Sequence, residues 1–487
     1  MKDELERLFR HSVVFLVGLI FQRAARVLLL PLYWSVFPPA QFGLLDLFEV
    51  FIQTMVLTFS FALPTAYIKF HRIDEKEGVA PEVLRGTILA LSLGGLVLLG
   101  LAMVCFQTPL SWLFFNGRHP QLYAIAGGAI VANIAFLLVQ GFLRAHGRAV
   151  IFTLLSSVQF LLLLLLNVYF VKWQGMGLDG VLWSTTLACA LPALIYAVAG
   201  ARGARLRFEG AIARRLFRFA LPLVPFGLIA LLLMISARLF LQHFHGAAAV
   251  GVFSAANRVA LVLMLVCVTP FQTAWGYLGL DYLRHKDARE IFARMFTYLL
   301  VIGLWSFLLV AAVGREMILR FGKTHYLPSL PYVAPLMVGY LMVLFFYWAN
   351  IVLVGHNMTA RMLLISLLPF VISVGGGWIT IPRYGIDAAC ILFPIAMATQ
   401  TILTAFCARR IVGFGLEQSR VLKTLAAFFI CYIVGEGILR AVPDWRLLIA
   451  VAEIAVFPLL LFAFGFLTHA EMAWLRKWYR AGKKTPR

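Results

Sequence analysis

Charge is what this chain of 487 residues has least of. Only 13% of its residues are Asp, Glu, Lys or Arg, where a soluble domain carries about 25%. Acids are scarcer still, 21 against 42 Lys and Arg. Six cysteines are present, none at CxxC spacing. All of them (Cys105, Cys189, Cys267, Cys390, Cys407, Cys431) fall inside apolar stretches, where they read as small packing residues rather than disulfides or metal ligands. No GxxxxGK[ST] loop occurs, so no ATP-driven engine is read within the chain. There is no DxD, no His/Glu metal pattern, and no connection long enough to fold as a catalytic domain. This argues against a glycan polymerase, ligase or glycosyltransferase, and no cofactor, metal site or catalytic residue is expected. His243 and His245 lack acidic company, and no chemistry is assigned to them.

What replaces charge is apolar sequence, 62% of the chain against about 45–50% in soluble proteins. It falls into runs of about 20 residues, each long enough to cross ~30 Å of hydrocarbon. The fold class expected is therefore an all-α polytopic membrane protein. Fourteen spans are predicted: 12–36, 42–68, 85–106, 121–142, 150–171, 179–199, 220–242, 249–276, 292–313, 331–354, 362–381, 386–407, 423–440 and 447–468. The first follows "MKDELERLFRH" without a small-residue cleavage site, so it reads as a retained span. Pro31, Pro64, Pro192, Pro270 and Pro394 lie inside spans and should kink them.

The net charge of +21 sits mostly between spans, which makes it a topology signal and not a nucleic-acid footprint. With the N-terminus inside, 30 Lys and Arg fall on the cytoplasmic side and 8 outside. Only Arg23, Arg26, Arg238 and Arg258 lie within spans. Both termini are therefore expected in the cytoplasm.

An ungapped offset of 208 runs through the chain. It pairs Gly43 with Gly251, Thr65-Ala66-Tyr67 with Thr273-Ala274-Trp275, Gly147 with Gly355, and "GLDG" (177–180) with "GIDA" (385–388). Six spans, an even number, separate the copies, so the repeats are parallel and related by an axis along the membrane normal. The expected domains are an N-lobe (1–199), a basic amphipathic connector (200–219), a C-lobe (220–410), and two further spans with a basic tail (411–487). A site between two such lobes, opened alternately to each side, is a transporter's arrangement.

The intramembrane charges are the candidate site. Arg23 and Arg26 share one helix face and must avoid lipid. Two readings stand: they grip an anionic head group, whose phosphates arginine matches with paired hydrogen bonds, or they pair with a carboxylate of the second span. Asp46 and Glu49 also share a face. Glu49 and Arg258 are read as an outer gate, against pairing of Asp46 or Glu49 with Arg23 or Arg26. Arg238, near a span end, is set between snorkelling and a cavity role. Asn133, Gln140, Gln159 and Asn167 are candidate sugar contacts or helix-joining polar groups. Glu436 has Arg440 at i,i+4 spacing, with a proton-relay role for Glu436 and Glu453 as the other reading.

The stretch "LPLYWSVFPPAQFGLLDLFEVF", the "LPTAYIKFH" at 63–71, the "RAHGR" at 144–148 and the "GLDG" opening the sixth span resemble one family. They are similar to O-antigen and exopolysaccharide flippases of the multidrug, oligosaccharidyl-lipid and polysaccharide exporter superfamily. The resemblance covers nearly the whole chain by architecture. It implies a MATE-like transporter of lipopolysaccharide and polysaccharide biosynthesis in the bacterial inner membrane. Its substrate would be a polyprenyl-diphosphate-linked oligosaccharide, and its partners membrane lipids and a polysaccharide polymerase. Arg23, Arg26 and Arg258 match cavity arginines of such flippases. A peptidoglycan-precursor flippase and a cation-coupled multidrug exporter are the alternatives within the superfamily.

Overall fold

The computed structural model describes residues 27–466 apart from 78–80, 116, 118–119, 202–206, 323 and 443–444. Most of the first predicted span, including Arg23 and Arg26, lies outside the described residues, as does the basic tail. In chain order the helices are α1 Leu30–Val36, α2 Pro39–Phe59, α3 Leu63–Glu77, α4 Pro81–Cys105, α5 Gln107–Phe115, α6 Pro120–Ala145, α7 Ala149–Asn167, α8 Gly177–Ala201 and α9 Gly210–Ala220. There follow α10 Leu223–His245, α11 Ala247–Leu263, α12 Thr269–Leu283, α13 Ala288–Phe321, α14 Leu330–Gly355, α15 Thr359–Phe370, α16 Gly376–Val412, α17 Gln418–Ala441 and α18 Arg446–Ala463. No strand occurs among the described residues.

Ten stretches are long and apolar enough to cross a bilayer, or eleven with the bent pair over 210–245 counted as one. The predicted fourteen are not reached among the described residues, for three reasons. The first span is not described. The predicted spans 362–381 and 386–407 run together, interrupted only where Gly385 takes φ 54. The last, Leu448–Ala463, is short. The predicted span 42–68 also divides: α2 ends at Phe59, and Phe61 and Ala62 adopt left-handed backbone (φ 48 and 50) before α3 begins. Next to the matching place in the second repeat the helix continues instead through a π turn, Met264–Val268.

The chain forms two compact units. The first comprises everything up to Arg258 together with Ile318–Tyr332 and Leu368–Ala396. Here α2 meets α5 and α6 through Phe48 stacked on Phe115 (4.0 Å) and Phe51 against Phe114 and Tyr123. Phe136, Leu143, Phe152 and Cys189 form a core between α6, α7 and α8. The connector helix α9 buries Ile212 and Leu216 and sets Phe217 on Phe61 and Phe219 on Phe70. Lys69 lies over the Phe219 ring at 3.8 Å. The apolar face of α9 is thus used within the unit. The added segments join through Tyr326 Oη donating to the Phe37 carbonyl (2.8 Å) and through the Ser236–Ser373 hydroxyl pair (3.2 Å).

The second unit holds Val259–Met317, Val333–Leu367 and Met397–Arg487. Its centre is aromatic. Trp275 Nε1 donates to the Trp348 carbonyl (3.1 Å), Trp348 Nε1 to the Phe292 carbonyl (3.2 Å), and Phe414 packs on both Phe292 and Trp348. Glu436 is bidentate with Arg315 of α13 (2.7 and 3.1 Å), while the side chain of Arg440, its expected neighbour, lies outside the described residues. Helices of both units turn large apolar side chains outward, as Leu93, Val97, Leu101 and Val104 do on α4, which suits contact with lipid.

Candidate functional site: a charge network where the repeats cross

Two prolines start α2. Pro38 holds extended backbone and Pro39 occupies the first turn, where its missing N–H costs nothing. One turn later comes Gly43. Its backbone lies against that of Ala247 and Gly251, and Gly251 in turn lies against Pro39. Neither glycine has room for a methyl group. The contact is reciprocal under the 208 offset, since Ala247 is the mate of Pro39 and Gly251 of Gly43. The first turns of α2 and α11 therefore cross on the repeat axis itself, at a separation only small residues permit.

One turn deeper the same geometry joins Asp46 to its own mate. Ser254 Oγ donates to Asp46 Oδ2 at 2.7 Å, across 208 residues of chain. Arg238 Nε donates to the same oxygen at 2.5 Å, and Arg258 Nη2 to Oδ1 at 3.0 Å. Arg258 Nη2 also meets Glu49 Oε2 at 3.1 Å. Two acids and two bases thus balance. Asp46 is 5% exposed and Arg258 7%. Aromatic faces complete the enclosure, with Arg258 over Phe42 (5.1 Å) and Arg238 over Phe253 (5.7 Å). Buried charges tolerate such a place only when paired and hydrogen-bonded, and here each described carboxylate has a guanidinium.

This arrangement brings several of the candidate residues together. Glu49 does meet Arg258. Asp46 also meets Arg258, and Arg238 is not a snorkelling residue but a ligand of Asp46. Arg23 and Arg26 lie outside the described residues. The amide candidates stay among the helices of the first unit. Asn133 Nδ2 donates to Ala129 O, Gln159 Nε2 to Cys189 Sγ, and Asn167 both accepts from Tyr33 Oη and donates to Leu163 O. Gln140 is buried, and its Nε2 has no hydrogen-bond partner among the described residues. Sequence reasoning missed the Asp46–Arg238 and Asp46–Ser254 bonds. The repeat offset already pointed to the second, because mates near the axis face each other. Nothing local points to the first, whose partners stand 192 residues apart.

The fold is similar to several solved transporters. A lipid II flippase MurJ in an inward closed conformation aligns over 92% of this chain and 98% of its own, with 12% identity and a TM-score of 0.70. A multidrug resistance MATE family transporter of the MOP superfamily, in an outward-facing conformation, aligns over 83% and 95% with 18% identity and a TM-score of 0.55. A MOP superfamily transporter from Pyrococcus furiosus, whose solved structure was described as having a binding pocket of reverse polarity, aligns over the same shares with 18% identity and a TM-score of 0.54. At such identities the likeness shows the fold alone. A search of curated proteins by sequence gave no match. The profile of the polysaccharide biosynthesis proteins matches residues 8–275, which is more than half of the chain and takes in the whole charge network. The chain, with ten or eleven helices long and apolar enough to span a membrane and a fold like that of the solved MOP-superfamily transporters, belongs to the polysaccharide biosynthesis protein family.

Proposed function

We propose that the protein moves a polyprenyl-diphosphate-linked oligosaccharide across the bacterial inner membrane by alternating access, with both termini in the cytoplasm. The moving parts are the lobes 1–199 and 220–410, joined by the connector 200–219 and followed by 411–487. The observation that carries this reading is the paired network Asp46–Glu49–Arg238–Arg258 at the crossing of the repeats. A diphosphate cannot cross hydrocarbon unaided. Arginines that already hold carboxylates can exchange them for phosphate oxygens, two of which also accept a guanidinium's paired hydrogen bonds. Arg23 and Arg26 take the head group first. Arg258 then releases Glu49, and the outer crossing parts. The lipid tail stays in the bilayer throughout.

Reconstitution tests this. Liposomes carrying a fluorescent polyprenyl-diphosphate oligosaccharide should show its transfer between leaflets. Arg23→Ala/Arg26→Ala should abolish transfer at matched protein levels. Glu49→Arg and Arg258→Glu should each lose it, and the double exchange should restore it. Equal transfer by the Arg23/Arg26 variant would make those arginines structural, and absence of rescue would remove the gate. A second reading, a peptidoglycan-precursor flippase, is favoured by the likeness to MurJ. It shares the diphosphate, so lipid II in the same liposomes separates the two. Export of a cationic dye without lipid transfer would favour a drug exporter.

A further inference from the structure

A second polar cluster lies in the first unit, away from the network. It gathers at the end of α6, where the helix stops on Gly147 in left-handed backbone (φ 65). The Arg148 N–H closes that turn on the Leu143 carbonyl at 2.9 Å. This leaves His146 against α3 and α4. His146 Nδ1 lies 2.8 Å from the Phe142 carbonyl, which can only accept, so Nδ1 carries the proton. Nε2 is then a lone pair, and it accepts from Arg85 Nη2 at 2.9 Å. The ring of His71 stands 4.3 Å from that of His146. Tyr67 stacks on His71 (5.4 Å) and lies 6.0 Å from His146.

Two features here have no structural account. The cluster sets Arg85, Arg148 and two imidazoles together, and no ion pair to a carboxylate is found for any of them among the described residues. Tyr67 is 1% exposed, and its hydroxyl, which has Arg85 as hydrogen-bonding and electrostatic neighbour, finds no acceptor for its own proton among the described residues. A buried hydroxyl left unpaired costs free energy. The repeat mates make the contrast plain. At the 208 offset Tyr67, His71 and Arg85 correspond to Trp275, Gly279 and Ala293, while His146 has its counterpart in His356, whose Nδ1 likewise lies 2.8 Å from the carbonyl four residues back. There the buried polar atom, Trp275 Nε1, is satisfied by a carbonyl. One copy needs no ligand at this place; the other has donors without an acceptor.

We propose that Tyr67, His71, Arg85 and His146 form an anion site for a phosphate or diphosphate group. The exposed Arg85 and Arg148 face the entry, and the Tyr67 hydroxyl closes the floor. On binding, Arg85 turns its guanidinium to the phosphate. His146 Nε2, released from accepting, takes up a proton and becomes a donor. The groups facing His146 are Tyr67 and His71 on α3, Arg85 on α4, and Arg148 after α6. Burial first, then His71, Arg85 and Arg148, hold the imidazole below the usual histidine range without an anion, partly offset by the Phe142 carbonyl. Binding is therefore coupled to proton uptake. The inference goes beyond the flippase reading and does not depend on which lipid is carried.

Diethylpyrocarbonate attacks an unprotonated imidazole, so its rate at His146 and His71 reports on the site directly. The full chain in phosphatidylcholine nanodiscs is labelled with and without inorganic pyrophosphate, and the modified peptides are read by mass spectrometry. A parallel sample uses phosphatidylglycerol nanodiscs without pyrophosphate. A several-fold slowing by pyrophosphate means a soluble or substrate-borne phosphate; slowing by phosphatidylglycerol alone means a lipid head group. Either supports the site. Protection should vanish in Arg85→Gln, persist in Arg85→Lys, weaken in Tyr67→Phe, and persist in Arg23→Ala/Arg26→Ala, which separates it from the proposed transport site. Unchanged rates in both samples, or equal protection in Arg85→Gln, overturn the proposal.

Discussion

Tyr67 and Trp275 occupy the same place in two copies of one repeat. In the first copy the Tyr67 hydroxyl is buried and finds no acceptor among the described residues. In the second, the Trp275 indole N–H donates to the Trp348 carbonyl inside a packed aromatic cluster. The crossing of α2 and α11 shows the opposite relation. There Gly43 and Gly251 are alike because the axis demands it, while Asp46, Glu49 and Val50 face Ser254, Asn257 and Arg258, so that charge on one copy complements charge on the other. Duplication supplied the scaffold. The chemistry lies where the copies diverged.

Making the copies alike is the direct way to break this contrast. Asp46→Ser places the mate's residue in the first repeat and leaves Arg238 and Arg258 short of a buried partner. Removing one side of a buried ion pair costs about 3–5 kcal/mol. Thermal unfolding in detergent should show the largest loss of any variant considered, and an unchanged midpoint would mean the network is wet and loosely held.

Adding a methyl group where the copies must be alike should cost less. Gly43→Ala or Gly251→Ala forces the crossing apart, at about 1–3 kcal/mol for overpacking. The double variant should cost less than the sum, since one separation relieves both contacts. Full additivity would show that the two glycines are not in one contact.

The smallest effects sharpen the comparison at the other end. Trp275→Phe removes the indole's bond to the Trp348 carbonyl, which keeps its place in the helix ladder, and should cost about 0.5–1.5 kcal/mol. Tyr67→Phe removes a hydroxyl whose proton finds no acceptor among the described residues, so in phosphate-free buffer it should be nearly neutral. Matched losses in the two variants would mean that Tyr67 is satisfied after all.

The sequence spoke clearly where physics is local. Apolar length marked the helices, and a fixed offset exposed the repeat, because both are written in consecutive residues. It spoke less clearly where partners come from afar. Arg238 looked like an end-of-span residue until Asp46 arrived from 192 positions away. Glu436 has a plausible neighbour one turn on, but nothing local points to its bidentate partner Arg315, 121 positions away. The merging of 376–412 into one bent stretch depends on a single backbone angle at Gly385, which composition does not encode.

The interruption after α2 and the π turn at Met264–Val268 stand at neighbouring positions of the two repeats, since Phe61 and Ala62 are the mates of Thr269 and Pro270, which follow that turn. One copy breaks its hydrogen-bond ladder with Phe61 and Ala62; the other widens it by an extra residue. Each copy thus carries its own irregular point in the helix that follows the glycine contact. Bending at either needs no regular turn to be melted, because the regular i to i−4 bonding is already given up there. Backbone rotation at either place belongs to the microsecond-to-millisecond scale of collective motions and breaks no regular helical turn.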